Sequence, residues 1–261
     1  MKFVPKELRK TADISRGSTQ WRTSVGRAAA VGLALAVLYG LLGLAAEFVA
    51  SRIPDHWEAR GFALAVEATP TAMPPPEMER AHAVFQRLLE TPGLRVLPYR
   101  LFVLDSRAPN AVAVPGGGVG VTRGLLEQVT GETGLAMVLG HELGHHQGRH
   151  SLRRLGRGLI YRLALALLFG NTGPSLVDLS LQAAESGYSR QQERDADDFG
   201  LRLVHRTYGH TEGALEFFEQ VRRESKSHPA RWASFLASHP YTPDRITALR
   251  NLARTLPAAV E

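Results

Sequence analysis

Two histidines four residues apart, His141 and His145, stand in the run Leu139-Gly-His-Glu-Leu-Gly-His-His146. On a helix, positions i and i+4 share a face, so both imidazoles project together and can grip one cation. Zinc suits such a pair, because it accepts nitrogen and oxygen ligands tetrahedrally and a catalytic site leaves one position to water. Glu142 follows the first histidine and points beside the ligands, where it can take a proton from a water that the metal has made acidic. Leu135, Val138 and Leu139 give the same helix an apolar stripe to bury.

A third ligand lies downstream, in Ser189-Arg-Gln-Gln-Glu193-Arg-Asp-Ala-Asp197-Asp-Phe-Gly200. Glu193 and Asp197 are again four apart. One carboxylate can complete the metal shell while the other accepts an N–H from a ligand histidine and fixes its tautomer. Alone, such an acidic run reads as a solvated helix face; beside a histidine pair it reads as ligand and partner. The 261 residues contain no cysteine, so a disulfide framework, an iron–sulfur site and a thiolate zinc finger are excluded. Any metal here is held by His, Asp or Glu.

The elements that must position these groups follow from pattern. Residues 76–90 have Pro76 at a first helical position and Ala81, Val84, Phe85 and Leu88 at helical spacing. Tyr99–Leu104 reads as a strand, and Ala111–Val114 and Val119–Thr122 read as two short strands joined across Pro115-Gly-Gly-Gly118. Helices are expected over 133–150, 151–169, 176–187, 190–207, 212–225 and 243–255, with a loop at Asn171-Thr-Gly-Pro174. The class is α+β, helix-dominated, with a small sheet early in the domain. Leu163–Phe169 is apolar but too short to span a bilayer.

The net charge of +6 invites a nucleic-acid reading until it is located. Residues 1–27 hold seven Lys/Arg against Glu7 and Asp13, and the rest of the chain carries 24 Lys/Arg against 23 Asp/Glu. The basic signal is a tail, not a domain face, and nucleic acid is not an expected partner. Behind that tail, Ala28–Ala46 is nineteen residues without a charge, and a helix of that length rises roughly 28 Å, about one hydrocarbon thickness. A cleaved signal peptide competes with an anchor here. The preceding 27 residues are long for its basic region, and the apolar run exceeds the usual ~7–15 residues. An uncleaved anchor is the better reading. Basic residues before the run and few after it place the N-terminus in the cytoplasm and the rest across the membrane. The expected organisation is a cytoplasmic tail over 1–27, a single membrane helix over 28–46 that contacts the bilayer, a linker over 47–75 with a proline-stiffened spacer at Ala68–Pro76, a catalytic domain over 76–255, and a tail over 256–261.

Four blocks then carry a resemblance: Asn110–Leu126 (NAVAVPGGGVGVTRGLL), Val138–His150 (VLGHELGHHQGRH), Ser189–Gly200 (SRQQERDADDFG) and Ser238–Ile246 (SHPYTPDRI). In this order they resemble the membrane-associated gluzincin metallopeptidases, the HtpX, CAAX prenyl endopeptidase and BepA-like group. The resemblance implies a zincin-like domain, one zinc ion, and peptide or protein as substrate. It implies His141, His145 and Glu193 as zinc ligands, Glu142 as general base and Asp197 as a partner of the ligands. His239 would stabilise the oxyanion or cap the zinc, and Arg245 would help order the site. Asn110, Ala111, Val112, Ala113 and Val114 resemble the strand that lines the cleft, on which a substrate can pair as an extra strand. His146 reads as incidental, His150 recurs in the family motif without an assigned role, and His82, His205, His210 and His228 have no paired context. One membrane helix, unlike the multispanning relatives, argues against a prenylated or intramembrane substrate.

The expected function is a membrane-anchored zinc endopeptidase in envelope or membrane protein quality control. Two others compete with it: a chaperone-like protein holding clients in the same cleft, and a zinc hydrolase acting on something other than peptide.

Overall fold

In the computed structural model, which describes residues 17–67, 75–169, 187–240 and 242–257, the uncharged run lies inside one continuous helix, α1 (Gly17–Arg52). Val31, Leu35, Leu38, Leu41 and Leu44 are exposed along it, and Thr23–Arg52 is long and apolar enough to cross a membrane. The chain divides into two compact units at Ala45/Ala46. Among the described residues, the first unit is α1 up to Ala45, and everything below belongs to the second.

Pro54 stops α1, since its ring cannot continue a helix. Its carbonyl then accepts from Trp57 and Glu58 N–H at 3.0 and 3.1 Å, which starts α2 (Asp55–Glu67). Of the linker expected over 47–75, residues 68–74 lie outside the described residues. Residues 47–67 are helical but for a short break around Pro54, and Phe62 packs with Ala50, Leu152 and Leu155 in a small apolar cluster. Helix α3 (Pro75–Leu89) buries Ala81, Val84, Phe85 and Leu88.

Three strands follow: β1 (Arg100–Leu104), β2 (Ala111–Val114) and β3 (Gly118–Thr122). The order is β1-β3-β2, with β1 parallel and β2 antiparallel to β3, so β2 is an edge strand. Gly120 is required in β3, because a Cβ there would meet the Phe102 ring at 2.6 Å. A short α4 (Arg123–Gln128), capped by Thr122, leads into α5 (Glu132–Gln147). Residues 134–146 of α5 are all buried, so it is apolar or functional on every side, as befits a central helix.

Among the described residues the remaining helices are α6 (His150–Phe169), α7 (Arg190–Tyr208), α8 (Glu216–Glu224), α9 (Pro229–Ser238) and α10 (Pro243–Thr255). Of the expected helices, 176–187 and the loop at 171–174 fall almost wholly outside the described residues. Helix α9 was not expected; it starts with Pro229 in its first turn and buries Trp232 and Phe235 one turn apart. One large core joins α3, the sheet, α5 and α7–α10. Within it α5 and α7 meet along small residues. A Cβ on Gly144 would stand 2.8 Å from the Ala196 backbone, and one on Gly200 would stand 2.8 Å from His141 N. With nothing between them the two helices approach closely, and their polar residues are forced to face one another.

Candidate active site

That contact brings the histidine pair of α5 against the acids of α7. Ser189 caps α7: its Oγ accepts from Gln192 N at 3.2 Å while Gln192 Oε1 accepts from Ser189 N at 3.0 Å. This reciprocal box fixes where the helix begins and puts Glu193 in its first turn. The third contributor is the end of α9. His239 N donates to Phe235 O at 2.7 Å, Pro240 prevents another turn, and the His239 ring is left directed into the site. Asn110 ties α9 to β2, accepting from Ser238 Oγ at 3.1 Å and donating to Ser234 Oγ at 3.0 Å.

His141, His145, Glu193 and His239 converge, their ligand atoms all within 4.8 Å of one another. His141 Nε2 lies 3.1 Å from His145 Nε2, 3.6 Å from Glu193 Oε2 and 3.3 Å from His239 Nδ1. Glu193 Oε1 lies 3.4 Å from His145 Nε2 and 3.3 Å from His239 Nδ1. Ligands at zinc–nitrogen distances around a tetrahedron stand roughly 3.3 Å apart, so the donor set fits a single ion of that kind. Glu142 supports the fit. It is buried, neither carboxylate oxygen has a hydrogen-bond partner among the described residues, and His239 Nε2 is 3.5 Å from Oε1. A buried carboxylate left without a donor is costly; an attacking water would satisfy it.

Electrostatics separate the two glutamates. Burial pushes the Glu142 carboxyl up, opposed by His239 and His141. Burial would also raise Glu193, but His239, His145 and His141 around it bring it well below the usual carboxylate range. Burial holds His145 well below the ordinary imidazole value, which leaves it neutral and able to ligate. His239 is the opposite case, raised against its burial by Glu193 and Glu142.

Around these groups the structure places Asp197 and Arg245. Asp197 Oδ1 stands 2.9 Å from His141 Nδ1. Arg245 donates to Asp197 through Nε and Nη2 at 2.7 Å each and reaches Glu193 Oε2 with Nη1 at 2.6 Å. Its hydrogen bonds hold Asp197 below its usual value in spite of burial.

Four neighbours were not assigned roles by the sequence. His146, read as incidental, donates from Nε2 to Gly118 O at 2.9 Å and so fastens α5 to β3. His150 Nδ1 is 3.0 Å from His145 Nδ1; with His145 Nε2 kept as a lone pair for a metal, its Nδ1–H donates to His150. Tyr188 stacks on His145, ring centroids 3.6 Å apart and 15° from parallel. Ser151 Oγ lies 2.8 Å from Tyr188 Oη and donates to Ala113 O at 2.8 Å. The sequence signal was the recurrence of His150 in the family motif; Gly148, whose Cβ would stand 2.1 Å from His150 Nε2, was not singled out.

The strand residues Asn110–Val114 lie over the site. Asn110 O accepts from Thr122 N at 2.9 Å, so by antiparallel alternation the carbonyls of Ala111 and Ala113 turn away from β3. His239 Nε2 donates to Ala111 O at 3.1 Å, and Ser151 holds Ala113 O. His82, His205, His210 and His228 are not part of this cluster.

A model of peptidase family M48 matches residues 75–253. The chain belongs to peptidase family M48. The M48 match spans β2, the histidine pair, the α7 acids and His239 together, and the family is metal-dependent. Curated relatives agree. The chain is 30% identical over 182 residues to mitochondrial metalloendopeptidase OMA1 of Schizosaccharomyces pombe, covering 67% of this chain and 52% of that one. It is 30% identical over 159 residues to mitochondrial metalloendopeptidase OMA1 of Saccharomyces cerevisiae, covering 59% and 45%. Against the beta-barrel assembly-enhancing protease of Escherichia coli K12 it is 24% identical over 172 residues, covering 61% and 35%. The M48 chain thus spans about half or less of the length of these relatives.

Proposed function

We propose that this chain is a membrane-anchored zinc endopeptidase that cleaves membrane or envelope proteins as part of their quality control. The observation that supports it most is the convergence of four ligand atoms beside a buried Glu142 that has no hydrogen-bond partner among the described residues. His141, His145 and Glu193 would hold the ion. Bound zinc supplies Lewis-acid polarisation of the scissile carbonyl and a more acidic water. Glu142, with its raised carboxyl, takes the proton of the attacking water and passes it to the leaving amine. Asp197 fixes the His141 tautomer, and Arg245 balances the charge of Asp197 and Glu193.

For the oxyanion, His239 is better placed than Arg245. The Arg245 guanidinium is committed to two carboxylates and the Pro240 carbonyl, whereas the His239 ring faces Glu142 across 3.5 Å. A substrate strand would pair along β2 once the Ala111 and Ala113 carbonyls were released. Helix α1 would cross the membrane once, N-terminus in the cytoplasm, with the catalytic domain on the far side; a reporter fused after Glu261 that works only in the cytoplasm would reverse this orientation.

The deciding experiment compares zinc content and casein cleavage of the full chain with those of Glu142→Gln. One zinc in both, and cleavage by the wild type alone, is the expected result. Zinc in both without cleavage in either would favour a client-holding role, and no zinc in either would overturn the reading.

A further inference from the structure

Helix α2 starts three residues after α1 ends, and its two faces are unlike. The inner face is fully engaged. Glu58 pairs with Arg95 at 2.7 Å and accepts from Gly116 N at 3.3 Å, Phe62 and Val66 are buried, and a Cβ on Gly116 would stand 2.6 Å from Phe62 Cβ. The outer face carries Trp57, Arg60, Gly61 and Leu64, which fall on one helical stripe. Trp57 is 68% exposed and Leu64 77% exposed. Phe62 and Val66 are buried on the inner face, whereas among the described residues the outer pair stays exposed, Trp57 meeting only the edge of the neighbouring His56 ring.

Continuity says what it serves. The apolar helix ahead of it runs to Arg52, whose guanidinium lies 4.6 Å from the exposed Phe48 ring, an arrangement that keeps the charge at the water boundary while the ring stays in lipid. A tryptophan five residues on, with Arg60 beside it and Leu64 two turns along, has the make-up of a helix lying in the headgroup layer.

We propose that α2 lies on the phospholipid surface, with Trp57 and Leu64 seated among the headgroups and Arg60 reaching the phosphates. This rests on the reading of α1 as a membrane anchor. Because the opposite face of α2 grips Gly116 in the β2–β3 turn, the bilayer then sets the height of the cleft strand, and substrates are segments held close to the membrane surface.

The chain has no cysteine, so single cysteines can be spin-labelled in the full chain. Trp57→Cys and Leu64→Cys are compared with Leu38→Cys in α1 and the exposed Lys226→Cys, in vesicles of phosphatidylcholine with a minority of phosphatidylglycerol. Collision rates with oxygen and with a water-soluble nickel chelate are measured. Labels at 57 and 64 are expected to favour oxygen several-fold more than the label at 226. Labels at 57 and 64 that match 226, while 38 reads as lipid, would overturn the proposal. An aqueous reading at 38 would instead remove the anchor itself. Spin–spin broadening at 57 and 64 that grows with protein density would assign the face to a second copy of the chain and also overturn it.

Discussion

Arg245 holds both oxygens of Asp197 at 2.7 Å, and Asp197 in turn stands 2.9 Å from His141 Nδ1. The arginine also meets Glu193 at 2.6 Å, so one guanidinium compensates two buried carboxylates. Arg245→Met should therefore destabilise the domain by about 3–5 kcal/mol, since it strands both charges. Arg245→Lys keeps the charge but loses the fork and should fall between. Thermal unfolding of the full chain in detergent, before and after metal loading, measures both. An Arg245→Met variant as stable as the wild type would show that the acids are compensated elsewhere.

Gly148 and His150 support His145, the second histidine of the proposed ligand set. Arg149 turns the chain through the left-handed region (φ 54°), which returns the His150 ring under Gly148 and against His145. Gly148→Ala should push that ring away and free His145 to rotate, weakening zinc binding about 10–100-fold, the usual effect of losing a partner of a ligand histidine. His150→Ala should do the same. Chelator competition reads the affinity directly; unchanged values in both variants would make the contact incidental.

These supports show where the sequence stopped being legible. His141, Glu142, His145, Glu193 and Asp197 were readable because i and i+4 spacing on a helix is local information. His150 was not, because its contact depends on one left-handed residue and on the absence of a Cβ at position 148. Asn110–Val114 reads as a strand, but nothing local tells an edge strand from a central one when all four residues of β2 are buried. Helix α9 escaped because its large apolar residues are only three, Trp232, Phe235 and Leu236, within ten residues. Helix α2 escaped because two of its four large apolar residues, Trp57 and Leu64, face outward, which blurs the period.

His146 gives the chain an acid-sensitive clamp. Burial lowers its imidazole to about 4, the Gly118 carbonyl opposing this only in part. The unfolded chain takes up a proton near pH 6.5 that the folded chain refuses. The stability from this neutral histidine is therefore whole above about pH 6.5 and is lost as the pH falls through about 4, on the order of 3 kcal/mol. His146→Gln can still donate to Gly118 O but does not titrate. Its stability should fall less steeply than that of the wild type between those two values, measured by denaturant unfolding at a series of pH values. Parallel curves would exclude His146 as the cause.

Finally, β2 is held on its outer side by two donors, His239 on Ala111 O and Ser151 on Ala113 O. A substrate strand paired on β2 as proposed would need the same carbonyls, so both donors would compete with it. Ser151→Ala removes the competitor that lies away from the reacting groups. It should lower KM for an extended peptide a few-fold with kcat unchanged, while costing about 1–2 kcal/mol of stability for the lost hydrogen bonds. His239→Ala frees Ala111 O as well, but it also removes the ring beside Glu142 and Glu193. There, kcat should fall whatever happens to KM. Steady-state kinetics on one peptide distinguish the cases. A raised KM in Ser151→Ala would mean that Ser151 holds the strand in its productive position instead of blocking it, and an unaltered kcat in His239→Ala would remove that histidine from the reacting groups.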